Sequence, residues 1–182
     1  MRVLEDLEDF YYLMHPLRVF ILVSKDGRGR VNFMTVAWAI PASSDPPMVA
    51  AAISKECYTL KALRETGEFV LAIPTVEQLG KVWKAGTLSG FKVDKSGIFK
   101  TRKALKVKVP IIEECIANIE CKVRRMIDCG ETMLVIGDVI AASYDEKAYD
   151  EKLRVQLYKA KILSHLQGKL FLLYEAKTYK PT

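Results

Sequence analysis

Apolar residues in this chain cluster in short runs broken by glycine, proline or charge, a pattern of strands more than of long helices. LRVFILVS (17–24) is rich in Leu, Val, Ile and Phe and predicts a buried strand. KDGRGR (25–30) supplies a glycine-containing turn, and VNFMTVAWAI (31–40) is its hairpin partner. PASSDPP (41–47) predicts a loop, because a central strand cannot continue through prolines that lack an amide donor. MVAAAIS (48–54) and EFVLAIP (68–74) predict two more strands. ECIANIECKVRRMI (114–127) and TMLVIGDVIAASY (132–144) predict a long hairpin turning at CGE (129–131), and KLFLLYEA (169–176) a last strand.

Helical spacing is confined to short stretches. Residues 57–67 place Leu60 and Leu63 on one face and end in Gly67, a residue suited to closing a helix. Residues 76–86 align Leu79, Val82 and Trp83. Residues 3–14 predict a short acidic helical lead, ended at His15-Pro16 because the residue before proline avoids the helical region. Residues 145–161 are charged and predict a surface segment, helical in part. The stretch 87–110 is polar, basic and long for a connection, a property common in functional loops.

Six or seven strands with hairpin turns and short intervening helices predict a mainly β chain, a closed or nearly closed antiparallel barrel. The strand–helix–strand order in 48–74 keeps an α/β sheet as the rival, against which stands the lack of a glycine-rich phosphate loop after the first strand. A chain of 182 residues, half of them hydrophobic, is expected to form one domain over 1–182. No apolar run approaches the about 20 residues that span a bilayer. The N-terminus is acidic where a signal peptide would be basic and then apolar, so a cytoplasmic protein is expected.

The formal charge of +6 suits phosphate-bearing small ligands. It argues little for nucleic acid, since no aromatic-interleaved basic run or zinc-finger spacing appears. Cys57, Cys115, Cys121 and Cys129 form no CxxC pair, and the histidines are two, His15 and His165, so metal-site spacing is absent and buried reduced thiols are expected. There is no P-loop, dinucleotide fingerprint or nucleophile elbow. What remains is NFMTVAWAIPASSDPP, where Asn32, Thr35, Ser43 and Ser44 could orient a polar ring or a phosphate but supply no strong nucleophile. Ordinary strand and turn residues would read the same way.

Three stretches, HPLRVFILVS (15–24), GRVNFMTVAWAIPASSDPPMVAAAIS (29–54) and YTLKALRETGEFVLAIP (58–74), resemble the flavin reductase-like domain, a family that includes flavoredoxins and archaeal ferric reductase-type proteins. SGFKVDKSGIF (89–99) is similar to that family's loop after its second helix. The resemblance runs in order from about residue 15 to about residue 175 and is most specific from Asn32 to Pro47. It implies an FMN-binding split β-barrel, antiparallel and of Greek-key type, with short flanking helices. Asn32 and Met34, Thr35, and the backbone of Val36, Ala37 and Trp38 would face the flavin ring and ribityl chain. Ser54, Lys55, Tyr58 and Thr59 would form the phosphate side, with Lys55 adding a charge. The free amides and dipole of the helix beginning near Tyr58 and Thr59 favour an anion.

Ser89 and Gly90 resemble positions at one edge of the flavin. His165 in SHLQGKLF resembles a C-terminal motif, with Phe171 where the family often carries tyrosine and one glycine in place of a pair, and a structural histidine remains the other reading. The family further implies an oxidoreductase or electron carrier supplied by NADH or NADPH or by a protein, working as a homodimer; the apolar strand surface of 114–127 and 132–144 is the candidate for part of its interface. A non-catalytic FMN-binding or storage module, and a barrel that has lost its flavin, are the alternatives.

Overall fold

The computed structural model describes residues 2–173. A 3-10 turn over Leu7–Met14 opens the chain and is capped by the Asp6 side chain. The strands that follow are β1 (Leu17–Arg18), β2 (Phe20–Lys25), β3 (Val31–Val36), β4 (Ala39–Ser44) and β5 (Pro47–Ser54). Helix α1 (Tyr58–Thr66) leads to β6 (Glu68–Ile73), and α2 (Leu79–Thr87) to the short β7 (Thr101–Arg102) and β8 (Ile111–Ile112). The long pair β9 (Ala117–Cys129) and β10 (Thr132–Tyr144) precedes α3 (Leu157–Ala160), β11 (Leu163–Gln167) and β12 (Leu170–Leu173).

Among the described residues, the main sheet runs β3-β2-β6-β9-β10-β5-β4, and its pairings are antiparallel throughout. The α/β rival is thereby excluded. The two edge strands, β3 and β4, follow each other directly in sequence. Two residues, Ala37 and Trp38, carry the chain from one edge to the other, and the Trp38 carbonyl accepts from the Ala52 amide of β5 at 2.9 Å. The sheet thus curls until its edges meet at a seam.

The apolar run of β2 is explained by burial on both faces. Phe20 and Leu22 point into a core with Leu60 and Leu63 of α1, Phe69, Leu71 and Val135. Val19, Ile21 and Val23 point the other way, to Phe33, Val70, Val82 of α2 and Phe99. The long stretch 87–110 is fastened over this outer core. Glu120, fully buried, accepts from the amides of Leu105, Lys106 and Val107 at 2.8, 2.6 and 3.2 Å. Asn118 exchanges two bonds with the backbone of Ile112.

Several boundaries differ from expectation. The strand 17–24 breaks at Val19, and its first two residues pair with β11, which the sequence reading missed. The strand 31–40 breaks at the seam. The predicted loop 41–47 is largely strand: β4 lies at the sheet edge, where Pro41 and its missing amide are tolerated. Residues 145–161 form turns around Ala148 and Tyr149, with helix only at α3. The last strand is described over Leu170–Leu173, and the rest of 169–176 lies outside the described residues. Cys115 and Cys121 are buried, but Cys129 is exposed at the last position of β9 and Cys57 is half-buried, and all are free thiols. No helix among the described residues is long and apolar enough to cross a membrane.

Candidate functional site

The seam opens into a cleft of two joined compartments. The first, of about 380 Å³, lies between the end of β3, the crossing at Ala37–Trp38, the end of β5 and helix α2. Met34, Thr35, Val36, Ala37, Trp38 and Ser54 line it, with Val82, Trp83 and Gly86 of α2 opposite and His165 and Phe171 at one end. The second, of about 270 Å³, is bounded by Asn32, Ser54, Tyr58, Thr59, Ser89, Gly90 and Lys95. Met34, Ser54, Cys57, Gly86 and Thr87 belong to both, so the compartments are continuous.

The site residues expected from sequence meet here, except Lys55. Lys55 lines neither compartment, and its Nζ is 2.7 Å from Asp128 Oδ2 at the exposed end of β9. The buried cation of the site is Lys95, which sequence reasoning missed. Its ammonium donates to the carbonyls of Ala85 and Leu88 at 2.8 and 2.9 Å, which leaves one of its three N–H groups for the cleft. Burial pulls its pKa down.

Helix α1 begins at the polar compartment, and its N-cap, Cys57, makes no side-chain cap bond. The Leu60 amide donates to the Cys57 carbonyl at 3.1 Å, while the amides of Tyr58 and Thr59 stand at the cleft without a side-chain cap. Burial pushes the Cys57 thiol up, so it stays protonated and offers no competing negative charge.

Several side chains act as scaffold. Thr35 Oγ1 donates to the Val82 carbonyl at 2.5 Å, which ties α2 to β3, and Gly86 permits that approach because a Cβ there would stand 3.2 Å from Thr35 Cβ. The Tyr58 hydroxyl points away from the cleft. It donates to Asp26 Oδ2 at 2.5 Å and accepts from Arg30 Nε at 3.2 Å, while the Arg30 guanidinium covers its ring at 4.3 Å. The Tyr58 hydroxyl, joined by the amides of Arg30 and Arg28, holds the Asp26 carboxyl below the usual carboxylate range. Asn32 Nδ2 donates to Thr59 Oγ1 at 3.0 Å, whereas its buried Oδ1 has no partner. Gly90 packs so closely on this carboxamide that a Cβ would lie 2.5 Å from Oδ1.

His165 and His15, the two histidines, meet at the cleft's rim with ring centroids 5.5 Å apart. Each already bonds a backbone carbonyl, His15 Nδ1 that of Tyr11 at 2.9 Å and His165 Nε2 that of Gly168 at 3.1 Å. Among the described residues, no group of three or more His, Cys, Asp or Glu side chains could hold a metal.

A largely apolar compartment of about 380 Å³ has room for a ring system. The polar compartment offers what an anion on a hydroxylated tether requires: uncapped amides, a buried cation, hydroxyls and one orphan acceptor. The profile of the flavin reductase like domain matches residues 12–181. The chain belongs to this family. A protein of Archaeoglobus fulgidus is 36% identical over 171 residues, covering 92% of this chain and 94% of its own. Among solved structures, flavoredoxin from Methanosarcina acetivorans superposes with a TM-score of 0.88 at 26% identity, covering 99% of this chain and 95% of that one. An FMN-binding protein from Thermus thermophilus with bound 1-cyclohex-2-enone also gives 0.88 at 26% identity, covering 100% and 98%. The seamed sheet is therefore the split barrel of flavin reductase-like proteins, and the family supports a flavin-related, oxidoreductase-type role.

Proposed function

We propose that the cleft binds FMN and that the chain serves as an FMN-dependent oxidoreductase or electron carrier. The observation that carries this reading is the polar compartment, where uncapped first-turn amides of α1, the spare N–H of Lys95 and the unpartnered Asn32 Oδ1 converge beside an apolar slot. Lys95 and the amides of Tyr58 and Thr59 would hold the phosphate, and Asn32 Oδ1 would accept from a ribityl hydroxyl. Met34, Ala37 and Trp38 on one side and Val82 and Gly86 on the other would enclose the ring and keep water from it. Bound flavin would supply hydride and single-electron chemistry. The protein's residues then need only bind, orient and shield, which agrees with the lack of an acid–base constellation in the apolar slot.

NADH or NADPH is the proposed small-molecule donor, approaching from the rim at His165 and Phe171. The chain is read as a cytoplasmic homodimer. The purified protein should release FMN on acid treatment, resolved chromatographically from FAD, and its flavin absorbance should bleach on anaerobic titration with a nicotinamide nucleotide. Release of FAD, or failure to take up FMN on reconstitution, would overturn the cofactor assignment. FMN that binds but does not bleach with either nucleotide would leave a carrier or storage module fed by another donor.

A further inference from the structure

Charge is distributed unevenly along the chain. Segment 92–108 contains seven of the 28 basic residues and one of the 22 acidic residues, so it alone accounts for the formal charge of +6. The other 21 basic and 21 acidic residues cancel. Lys95 is turned into the cleft, while Lys92, Lys100, Arg102, Lys103, Lys106 and Lys108 are exposed. None of these six forms an ion pair among the described residues.

The array is held in place and does not form a loose tail. Phe99, Ala104, Val107 and Val109 are buried between the cations, and Glu120 fixes the amides of residues 105–107. The cations therefore project outward from a rigid base. Leu105 is 68% exposed and Val93 39% exposed among them. Just upstream, Ser89 and Gly90 line the mouth of the polar compartment.

We propose that this strip docks an acidic protein. A single nucleotide phosphate needs one or two cations, and this strip sets out six. Single-stranded nucleic acid binds on exposed aromatic platforms. The one exposed aromatic ring nearby, Phe91, is already packed edge-on against Tyr58 at 5.1 Å. Docking here would bring the partner beside the cleft, and complementary charge would speed the encounter.

The test uses the full chain and a plant-type [2Fe–2S] ferredoxin as an acidic probe, with binding followed by surface plasmon resonance with and without added FMN. The ferredoxin should bind at low salt and lose affinity steeply as salt rises. R102E with K103E should weaken binding about tenfold or more. K106E alone should act in the same direction, and the matched exposed pair K147E with K152E should leave affinity unchanged. Thermal melting checks that each variant is folded. Absence of ferredoxin binding at low salt, equal loss in the strip and control variants, or binding of single-stranded DNA or adenosine 2′,5′-bisphosphate that is tighter than that of the ferredoxin at the same ionic strength and is lost in the strip variants would overturn the proposal. These readouts do not require bound flavin, so failure here is distinct from failure of the FMN assignment.

Discussion

Two lysines separate the residue that lies near the site from the residue that faces it. Lys55 is exposed and spent on Asp128, a surface pair screened by solvent. Lys95 is buried, and a charge-assisted hydrogen bond is worth about 1.5–3 kcal/mol. Lys95→Met should therefore weaken FMN binding about 10- to 100-fold by isothermal calorimetry, while Lys55→Ala should leave it within about threefold. The reverse order would mean the phosphate lies elsewhere. Asp26 gives a pH-dependent prediction. Its folded pKa is lowered, first by the Tyr58 hydroxyl. Its contribution to stability is present above the ordinary carboxylate range and is lost as pH falls through the lowered folded value. Asp26→Asn should lower Tm at neutral pH, and the gap to wild type should narrow as the medium is acidified below the ordinary carboxylate range. A gap that stays constant with pH would rule out the linkage. The resemblance in the sequence singles out Asn32, Tyr58 and Thr59 but says nothing of how each is bonded. A one-dimensional reading cannot tell that the Thr35 hydroxyl is committed to Val82 or that Lys95 points inward from a basic loop.

At the scale of elements, the strongest periodic signals survive in the structure. The β2–β3 and β9–β10 hairpins and α1 with Gly67 at φ 66° all form where the sequence places them. The missed elements have physical reasons. LSHLQ (β11) is short and mixed in polarity, and it becomes a strand through pairing with β1 and β12. The strand β4 contains Pro41, a residue that excludes a central strand but not an edge. The stretch 87–110 reads in the sequence only as a long polar connection, because the side chain that organises it, Glu120, is on β9. Glu120→Gln would turn an acceptor into an N–H facing backbone amides, leaving a buried donor unsatisfied. We expect a loss of about 2–4 kcal/mol in chemical denaturation. Hydrogen exchange should also speed up at Leu105, Lys106 and Val107, with protection of the β2–β6 ladder retained. Uniform loss of protection would mean that Glu120 supports the whole sheet and not the loop.

At the scale of the molecule, one apolar groove left uncovered among the described residues lies beside the seam. A groove of about 490 Å³ runs between the Leu7–Met14 turn and β4, lined by Phe10, Tyr11, Met14, Trp38, Ile40 and Leu134. Ile40 is 63% exposed and Phe10 53%. The groove touches β10 at Leu134 but none of β9, so it shifts the expected interface toward β4 and the N-terminal turn. Burying such surface against a second copy is the commonest solution for a soluble chain. Sedimentation equilibrium at micromolar concentration should give a dimer. Ile40→Arg should give a monomer that still takes up FMN, because Ile40 lines neither compartment of the cleft. A monomeric wild type would refute the assembly.

Strands β3 and β4 are neighbours in the chain but stand at opposite ends of the ladder, so the sheet cannot be laid down in order of synthesis. The β2–β3 and β4–β5 hairpins can close early, joined only by Ala37 and Trp38. Strand β5 must then wait for β10, and β6 for β9. Until Ala117–Tyr144 has left the ribosome, the two early hairpins have no sheet to share, and their apolar faces stay open to misassociation. Completion of the barrel therefore falls to one late, long hairpin, which alone joins the β3-β2-β6 part of the sheet to the β5-β4 part.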